Sequence, residues 1–503
     1  MLFNSYIFIL GFLPLTLAGF WLAARFGRTV ACCWLVAASV LFYGWWRPGD
    51  VPMLVASVAA NYLLSWLIAA TAGRRVQHWL LAGGIAANLA LLVWFKYLAT
   101  LLGLVGVPIA TPVLPLGISF FTFTQIGFLI DCRQGLARER GWLSYALFVT
   151  FFPHLIAGPI LHNREIMPQF AALATYRVSA ENVAAGLAMF LIGLLKKCLL
   201  ADPLAATVAV GFAHPHELAL FGAWQTATSY SLQLYFDFSG YSDMAIGIAR
   251  MFNLRFPANF NSPYKSQSVI EYWQRWHMTL TRYLMMYLYN PIALHVTRRR
   301  VARGLAVNRQ GQATAGGFAA MVLLPTWITL ALAGVWHGSG VTFLVFGLLH
   351  ATYLSVNHAW RLFRPRPPGQ HAAAIVRRIA LTYGCVLVGS VVFRAPSLWS
   401  ASQVLGAMLG LHGVSIGFAD AKQAVRAAAQ AAWIATLYAI IWAAPNTQQI
   451  MRACGPTLDA VRPGPLPWLT WRTSLPWAAA LGCAAAVGLS ALGGTSEFLY
   501  FQF

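Results

Sequence analysis

The stretch LAGVWHGSGVTFLVFGLLHATYL, residues 332–354, is almost entirely apolar and is interrupted only by a short glycine-rich break. Its flanks continue into apolar runs over 317–336 and 340–360. Each run has roughly the 20 residues that an α-helix needs to cross the hydrocarbon core of a bilayer. The stretch therefore predicts two membrane-spanning segments, one on either side of the glycines.

The composition of the whole chain agrees with this local pattern. Of 503 residues, 59% are hydrophobic and only 9% are charged, whereas about a quarter of the residues of a soluble protein are charged. Further apolar runs cover 3–24, 29–47, 51–72, 78–105, 141–160, 182–212, 217–235, 374–394, 427–445 and 471–492. We predict an all-α integral membrane protein with about 11–13 transmembrane or half-spanning helices. It forms one domain over 1–503, with C-terminal helices within 374–492.

The charges indicate a membrane topology rather than a nucleic-acid surface. The net charge is +21, but the basic residues fall in short loop clusters, as expected for loops on the cytoplasmic side. The first apolar run has no basic region ahead of it and no cleavage motif, so a retained first span is favoured over a signal peptide. We expect the bilayer to be a partner and nucleic acid not to be one. The seven scattered cysteines lack any C-x-x-C pattern and predict neither a zinc site nor structural disulfides.

One segment departs from the membrane-spanning pattern. Residues 255–297 begin with an irregular polar stretch, after which Ser266 or Ser268 can cap a helix that starts near Val269. Apolar residues recur on this helix at helical spacing: Val269, Trp273, Trp276, Leu280, Tyr283, Leu284 and Tyr287. His277 lies on the same stripe. The pattern predicts an amphipathic helix in the membrane interface.

Asp237 and Asp243 lie in the apolar run LQLYFDFSGYSDMAIGIA, residues 232–249. Ionisable residues inside a membrane are costly, so both are candidates for function. They can pair with an arginine such as Arg250 or Arg275, or they can border a cavity. Ser239 and Gly240 between them are a predicted helix break.

His337 and His350 are the only ionisable residues of the opening stretch. They are 13 residues apart, about 20 Å along a continuous helix, so they cannot share one metal ion. His337 is flanked by Gly334, Gly338 and Gly340, which allow a backbone or a ligand to come close. No carboxylate lies nearby in the sequence, so a buried imidazole there stays neutral, as a general base requires. A hydrogen-bonded core histidine is the alternative.

A single G-x-S-x-G match occurs at 413–417, with Ser415 in the central position. A nucleophile elbow needs a strand before the serine and a helix after it. This match lies between two apolar segments, so we interpret it as a turn.

Four stretches together resemble the membrane-bound O-acyltransferase family, in the bacterial branch that includes alginate O-acetylation and teichoic-acid D-alanyl transfer. They are PLGISFFTFTQIGFLID (115–131), FFPHLIAGPILHNREIMPQF (151–170), YFDFSGYSDMAIGIARMFNLRFPANFNSPYKSQSVIEYWQRWHMTL (235–280) and LAGVWHGSGVTFLVFGLLHATYL (332–354). The core motifs thus lie within 115–354. The resemblance implies a ring of membrane helices around a central tunnel.

The resemblance also implies the chemistry. His337 of the W-H-G motif is similar to the family's catalytic histidine, and His277 of R-W-H to its second histidine. Tunnel-lining positions are expected at Trp336, Gly338, Arg275, Trp276, Asp237, Asp243 and His350, with no metal. Acetyl-CoA or a similar acyl thioester is the implied donor, and no cofactor is bound permanently. The implied partners are a periplasmic esterase-like acetyltransferase and the polysaccharide synthase machinery, at the bacterial inner membrane.

The chain departs from the branch at one motif. Where W-x-R-D-Y-L-Y is usual after R-W-H, the chain has Met285 and Met286 in place of the Arg-Asp pair. We therefore expect O-acetylation of a cell-envelope or secreted polysaccharide other than alginate. The alternatives are an acyltransferase for a lipid or a teichoic-type polymer, and a non-catalytic transporter of acyl groups or glycans. A transporter is disfavoured because no matched pair of interrupted spans is visible in two halves.

Overall fold

The computed structural model of the chain describes residues 1–107, 109–110, 112–364, 371–414, 421–493 and 498–499. Within these ranges all regular secondary structure is helical. Short π-helical turns lie at Ile7–Phe12, Lys196–Ala201, Met285–Tyr289 and Ala319–Leu323, and short 3₁₀ turns at Pro48–Asp50, Leu173–Tyr176, Asp202–Leu204, Pro215–Glu217, Pro263–Lys265, Arg452–Cys454, Pro467–Leu469 and Ala491–Gly493.

The α-helices follow one another along the chain with short connections. The first twelve are α1 (Leu13–Ala24), α2 (Arg28–Gly44), α3 (Val51–Ala70), α4 (Arg74–Lys96), α5 (Leu98–Leu104), α6 (Ile118–Arg133), α7 (Trp142–Thr150), α8 (Phe152–Leu155), α9 (Asn163–Ala171), α10 (Ala180–Leu195), α11 (Ala205–Ala213) and α12 (Leu220–Met251). The others are α13 (Val269–Trp273), α14 (Met278–Leu284), α15 (Asn290–Ala302), α16 (Arg309–Ala313), α17 (Ala315–Phe318), α18 (Leu324–His337), α19 (Val341–Phe363), α20 (Ala372–Arg394), α21 (Leu398–Met408), α22 (Ala421–Ala443), α23 (Thr447–Ile450) and α24 (Leu475–Ser490).

Seven helical segments of the described chain are long and apolar enough to cross a membrane: Ile7–Ala24, Pro48–Ala70, Arg74–Lys96, Ala180–Ala213, Ala315–His337, Ala372–Arg394 and Ala424–Ala443. Arg28–Gly44 and Leu475–Ser490 are shorter apolar helices. α12 and α19 have 32 and 23 residues but carry polar side chains that the site uses. The predicted class, an all-α integral membrane protein, is confirmed.

The centre of the fold is the crossing of α10 and α12, which depends on glycine. A Cβ atom on Gly186 or Gly193 would collide with the backbone of α12 at Gly247 or Gly240, and the reverse holds too. Lipid tails are as apolar as side chains, so membrane helices associate through close packing of small residues. The predicted break at Ser239–Gly240 is therefore wrong: α12 runs through it, and Gly240 provides close approach instead of a bend.

The opening stretch forms a tight helical hairpin of α18 and α19, which reverses direction at Gly338–Gly340. The two helices touch through Gly334 and Gly347. A Cβ on Gly334 would overlap the Phe343 carbonyl oxygen, and a Cβ on Gly347 would overlap the Leu330 carbonyl oxygen. The hairpin places His337 at the end of one helix and brings the other helix alongside it.

We expect Gly347→Ala to destabilise the protein by about 1–3 kcal/mol, because a methyl group there forces the two backbones of the hairpin apart. The matched control is Gly384→Ala in α20, where an added Cβ meets nothing within 4 Å. That change should leave stability equal or raise it by about 0.5–1 kcal/mol, as alanine replaces glycine in a helix. Thermal unfolding in detergent measures both, and shifts of the same sign and size would contradict the close hairpin.

Candidate functional site

His277 lies in a sharp backbone turn rather than on a helix. α13 ends at Trp273, and α14 begins directly after His277, whose φ of +42° is in the left-handed region. A left-handed residue cannot continue a right-handed helix, so the predicted continuous interfacial helix from Val269 is wrong. The prediction of its start is confirmed, since the Ser268 side chain accepts a hydrogen bond from the Glu271 N–H.

Asn259 holds this turn in place. Its carbonyl oxygen accepts from the Met278 N–H at 2.9 Å, and its Oδ1 accepts from the Thr279 hydroxyl at 2.9 Å and lies 2.9 Å from His277 Nδ1. Its Nδ2 donates to Ser242 Oγ at 3.0 Å, which fixes Oδ1 as the acceptor. The His277 Nδ1 therefore carries the proton, and the lone pair is on Nε2.

His277 is fully enclosed and lies outside the seven candidate spans. Burial, with a smaller contribution from the nearby His337, lowers the pKa of His277 well below its usual value. The imidazole is thus neutral at physiological pH and can accept a hydrogen bond or a proton at Nε2.

His337 is the last residue of α18, beside the buried ring of Trp336. That ring stacks on Phe123 with centroids 5.0 Å apart, which fixes the end of α18 against α6. The ring of Phe343 fills the space where a Cβ of Gly338 would lie, so the glycine allows α19 to start close behind His337.

Two cavities meet at His337. One, of about 40 Å³, is aromatic and is lined by His277, His337 and His350 together with Trp276 and other rings. Among the described residues that line it there is no carboxylate, lysine or arginine. The other, of about 80 Å³, is lined by His337, Trp336, Lys96 and the start of α6. The two histidines predicted for catalysis, 60 residues apart in sequence (337 − 277), therefore face one space.

We expect Asn259→Leu to reduce turnover by about 10²-fold, because a small displacement of a reacting group costs that much. The replacement removes the partner of His277 Nδ1 and leaves the left-handed turn without its main support. Asn446→Leu is the matched control, since Asn446 caps α23 through Gln449 and lines neither of the two cavities. Transfer rates at equal protein level measure the effect, and equal rates for the two variants would contradict it.

His350 is a member of the same aromatic cavity. The prediction that spacing separates it from His337 is wrong, because the hairpin reverses the chain between them and no continuous helix joins them. The Trp273 Nε1–H donates to His350 Nδ1 at 3.2 Å, which ties α13 to α19. No set of three possible metal ligands comes together in the described part of the chain.

Asp237 and Asp243 do not border either cavity. Asp237 Oδ1 lies 2.6 Å from Lys197 Nζ, and Asp243 Oδ2 lies 2.6 Å from Lys196 Nζ. Both pairs are buried or nearly so, and the lysines belong to the π-helical turn after α10. The two aspartates thus form ion pairs across α10 and α12, with lysines and not with the arginines considered from the sequence.

The arginines and the remaining predicted positions have separate surroundings. Arg250 donates to the Cys454 carbonyl at 2.9 Å, and Arg275 pairs with Glu271 at 2.6 Å. Arg275 and Gly338 line neither cavity, whereas Trp276 lines the aromatic one and Trp336 the other. Ser415 lies outside the described residues.

Asn259 and Lys96 are not predicted from the sequence. The signal for Asn259 is its position in an irregular polar stretch that precedes a histidine. Lys96 has no such signal, because it ends an ordinary apolar run.

Comparisons with known proteins agree with this geometry. Residues 86–307 match the model of the membrane-bound O-acyltransferase family. The chain is 38% identical over 453 residues to the peptidoglycan O-acetyltransferase of Helicobacter pylori, covering 83% of this chain and 81% of the relative. It is 34% identical over 425 residues to the probable alginate O-acetylase of Pseudomonas aeruginosa, covering 81% and 75%. The teichoic acid D-alanyltransferase of Bacillus subtilis is 27% identical over 241 residues, covering 48% and 58%.

Proposed function

Because the chain belongs to the membrane-bound O-acyltransferase family, we propose that it transfers acetyl groups from acetyl-CoA to hydroxyl groups of a cell-envelope or secreted polysaccharide. The family and the relatives identify it as a multi-pass membrane acyltransferase. The relatives act on polysaccharide, as the names peptidoglycan O-acetyltransferase and alginate O-acetylase state. The bacterial inner membrane, between a cytoplasmic donor and an external acceptor, is the location that this role requires.

The observation that carries the proposal is the shared aromatic cavity of His277 and His337. Its lining has no charged group among the described residues, so it favours a neutral imidazole over an imidazolium. Aromatic rings enclose it: Phe393 lies 5.2 Å from His337, and Phe238 lies 4.8 Å from His277, centroid to centroid. A dry cavity keeps water from hydrolysing the thioester.

His337 acts as the general base. It takes the proton of the acceptor hydroxyl while that oxygen attacks the thioester carbonyl. The carbon–sulfur bond then breaks, the acetyl ester forms, and the proton leaves with the thiol of coenzyme A. His277, held by Asn259 with its lone pair on Nε2, orients His337 or the acceptor hydroxyl. Backbone N–H groups near Gly338 and Gly340 stabilise the oxyanion.

The dimensions of the site support a short acyl group. A cavity of about 40 Å³ is comparable with the space of one or two water molecules, about 30 Å³ each. Such a space holds the two carbons of an acetyl group and excludes a fatty acyl chain. His337 lines both cavities, so donor and acceptor reach it from different sides. A periplasmic esterase-like protein and a polysaccharide synthase are the partners that this arrangement needs.

The test uses membrane vesicles that contain the full chain, supplied with labelled acetyl-, butyryl- or palmitoyl-CoA. The label is then measured in the peptidoglycan, soluble polysaccharide and lipid fractions before and after mild alkali, which cleaves esters. We expect alkali-labile label from acetyl-CoA in one of the two polysaccharide fractions. Label that enters lipid, or a preference for palmitoyl-CoA, would refute the proposal.

A further inference from the structure

The helix that carries His337 ends without capping by its own backbone. The last carbonyls of any α-helix have no intrahelical partner. After His337 the backbone of Gly338 is extended, with φ −167° and ψ 163°, and leads away from α18. The carbonyls of the last turn therefore need donors from elsewhere, and these carbonyls belong to the residues that hold His337 in place.

Two consecutive side chains at the end of α4 supply these donors. The Lys96 ammonium donates to the carbonyl oxygens of Trp336 and His337 at 2.6 and 2.8 Å. The Tyr97 hydroxyl donates to the Val335 carbonyl at 2.6 Å. Three consecutive carbonyls at the end of α18 are thus bound by one neighbouring helix.

The charge of Lys96 suits this position. The carbonyl end of a helix is the negative pole of its dipole, so a cation there is favourable. Lys96 is partly buried and lines the same cavity as His337, away from competing solvent. A hydrogen bond with an ionised donor is about twice as strong as a neutral one.

We propose that Lys96, assisted by Tyr97, is the positioning residue of His337. This inference rests on the proposed role of His337 as the base. A shift of the His337 carbonyl moves its imidazole relative to His277 and the aromatic cavity, because both groups are attached to the same Cα. Lys96 acts through His337 and not on the substrate.

The test compares variants in the vesicle transfer assay with acetyl-CoA. Lys96→Met keeps the length of the side chain but removes the charge and all donors. We expect kcat to fall about 10²-fold, the size expected for a misplaced catalytic group, while KM for acetyl-CoA stays unchanged. Lys96→Arg keeps a charged donor and should restore most of kcat. Tyr97→Phe removes one neutral hydrogen bond and should lower kcat less than Lys96→Met.

The matched control is Lys265→Met. The Lys265 ammonium also donates to a carbonyl beyond the end of a helix, that of Ala444 at 3.1 Å, but Lys265 lines neither cavity. This variant should keep the wild-type kcat. It shows whether the effect belongs to Lys96 or to the loss of any helix-end lysine.

A second readout does not depend on activity. Nitrogen NMR of protein labelled at histidine, with the His337 signal assigned from its loss in His337→Ala, reports the environment of the imidazole. We expect the signal to move in Lys96→Met and to stay in place in Lys265→Met. If Lys96→Met fails to fold, Lys96→Arg and Tyr97→Phe give the same comparison with smaller changes.

The outcomes separate the two proposals. A wild-type kcat and an unmoved His337 signal in Lys96→Met overturn the positioning role. A raised KM with unchanged kcat also overturns it, because it would place Lys96 on the substrate. If His337→Ala retains full transfer, the proposed function fails, whereas an inactive His337→Ala with a fully active Lys96→Met leaves the function intact and removes only the inference about Lys96.

Discussion

Replacing His337 with glutamine should reduce acetyl transfer by about 10³-fold, in the range that a general base contributes. Glutamine keeps a polar group of similar size in the aromatic cavity but cannot accept the proton of the acceptor hydroxyl at neutral pH. His337 is the one residue that lines both described cavities as an ionisable base next to His277. The protein should remain folded, since its packing depends on Trp336 and the glycine hairpin.

The measurement is the initial rate of labelled acetyl transfer at equal protein level. His78→Gln is the control, because His78 is exposed on α4 and should behave as wild type. His350→Gln should fall between the two, since His350 borders the cavity and bonds Trp273 but has no assigned proton transfer. If His337→Gln retains more activity than His350→Gln, the assignment of the base is wrong.

Replacing Lys197 with methionine is expected to cost about 3–5 kcal/mol of stability, because it leaves a buried carboxylate without its counter-ion. Lys197 and Asp237 are 3% and 1% exposed, and their charged atoms are 2.6 Å apart. Lys197 also binds Asp202 at 2.8 Å, but Asp202 is partly exposed and retains contact with solvent. The uncompensated charge at Asp237 is therefore the main cause of the loss.

The thermal midpoint in detergent, followed by size-exclusion chromatography, tests this expectation. The double variant Lys197→Met/Asp237→Leu removes both charges and should recover most of the lost stability, as apolar replacements of buried pairs often do. Lys422→Met, at an exposed lysine, should change nothing. A double variant as unstable as the single one would mean that the pair is not the source of the effect.

Much of the fold could be predicted from the sequence. Composition and run length indicate the all-α membrane class, since a bilayer leaves helices few alternatives. Local patterns fail where tertiary contacts decide the backbone. Gly240 is typical of a helix break, but it supports a helix crossing with Gly193. The apolar period of 269–287 predicts one helix, but Asn259 stabilises a left-handed residue in its middle.

The site could be predicted in part. The histidines of two motifs, His277 and His337, face one cavity as the resemblance implied. The spacing argument places His350 too far away, because it assumes a continuous helix and the glycines of the hairpin remove that assumption. Lys96 could not be found, since a hydrogen bond to a main-chain carbonyl more than 200 residues away leaves no pattern in the sequence.

The most direct test of the central claim is the O-acetyl content of the envelope and secreted polysaccharide made by cells in which this chain is the only member of its family. Acetate released by mild alkali can be quantified by proton NMR. Cells with the wild-type chain should contain O-acetyl groups, and cells with equal amounts of His337→Gln should contain background levels only. Equal O-acetylation in the two strains would contradict the claim that the chain is an O-acetyltransferase with His337 as its base.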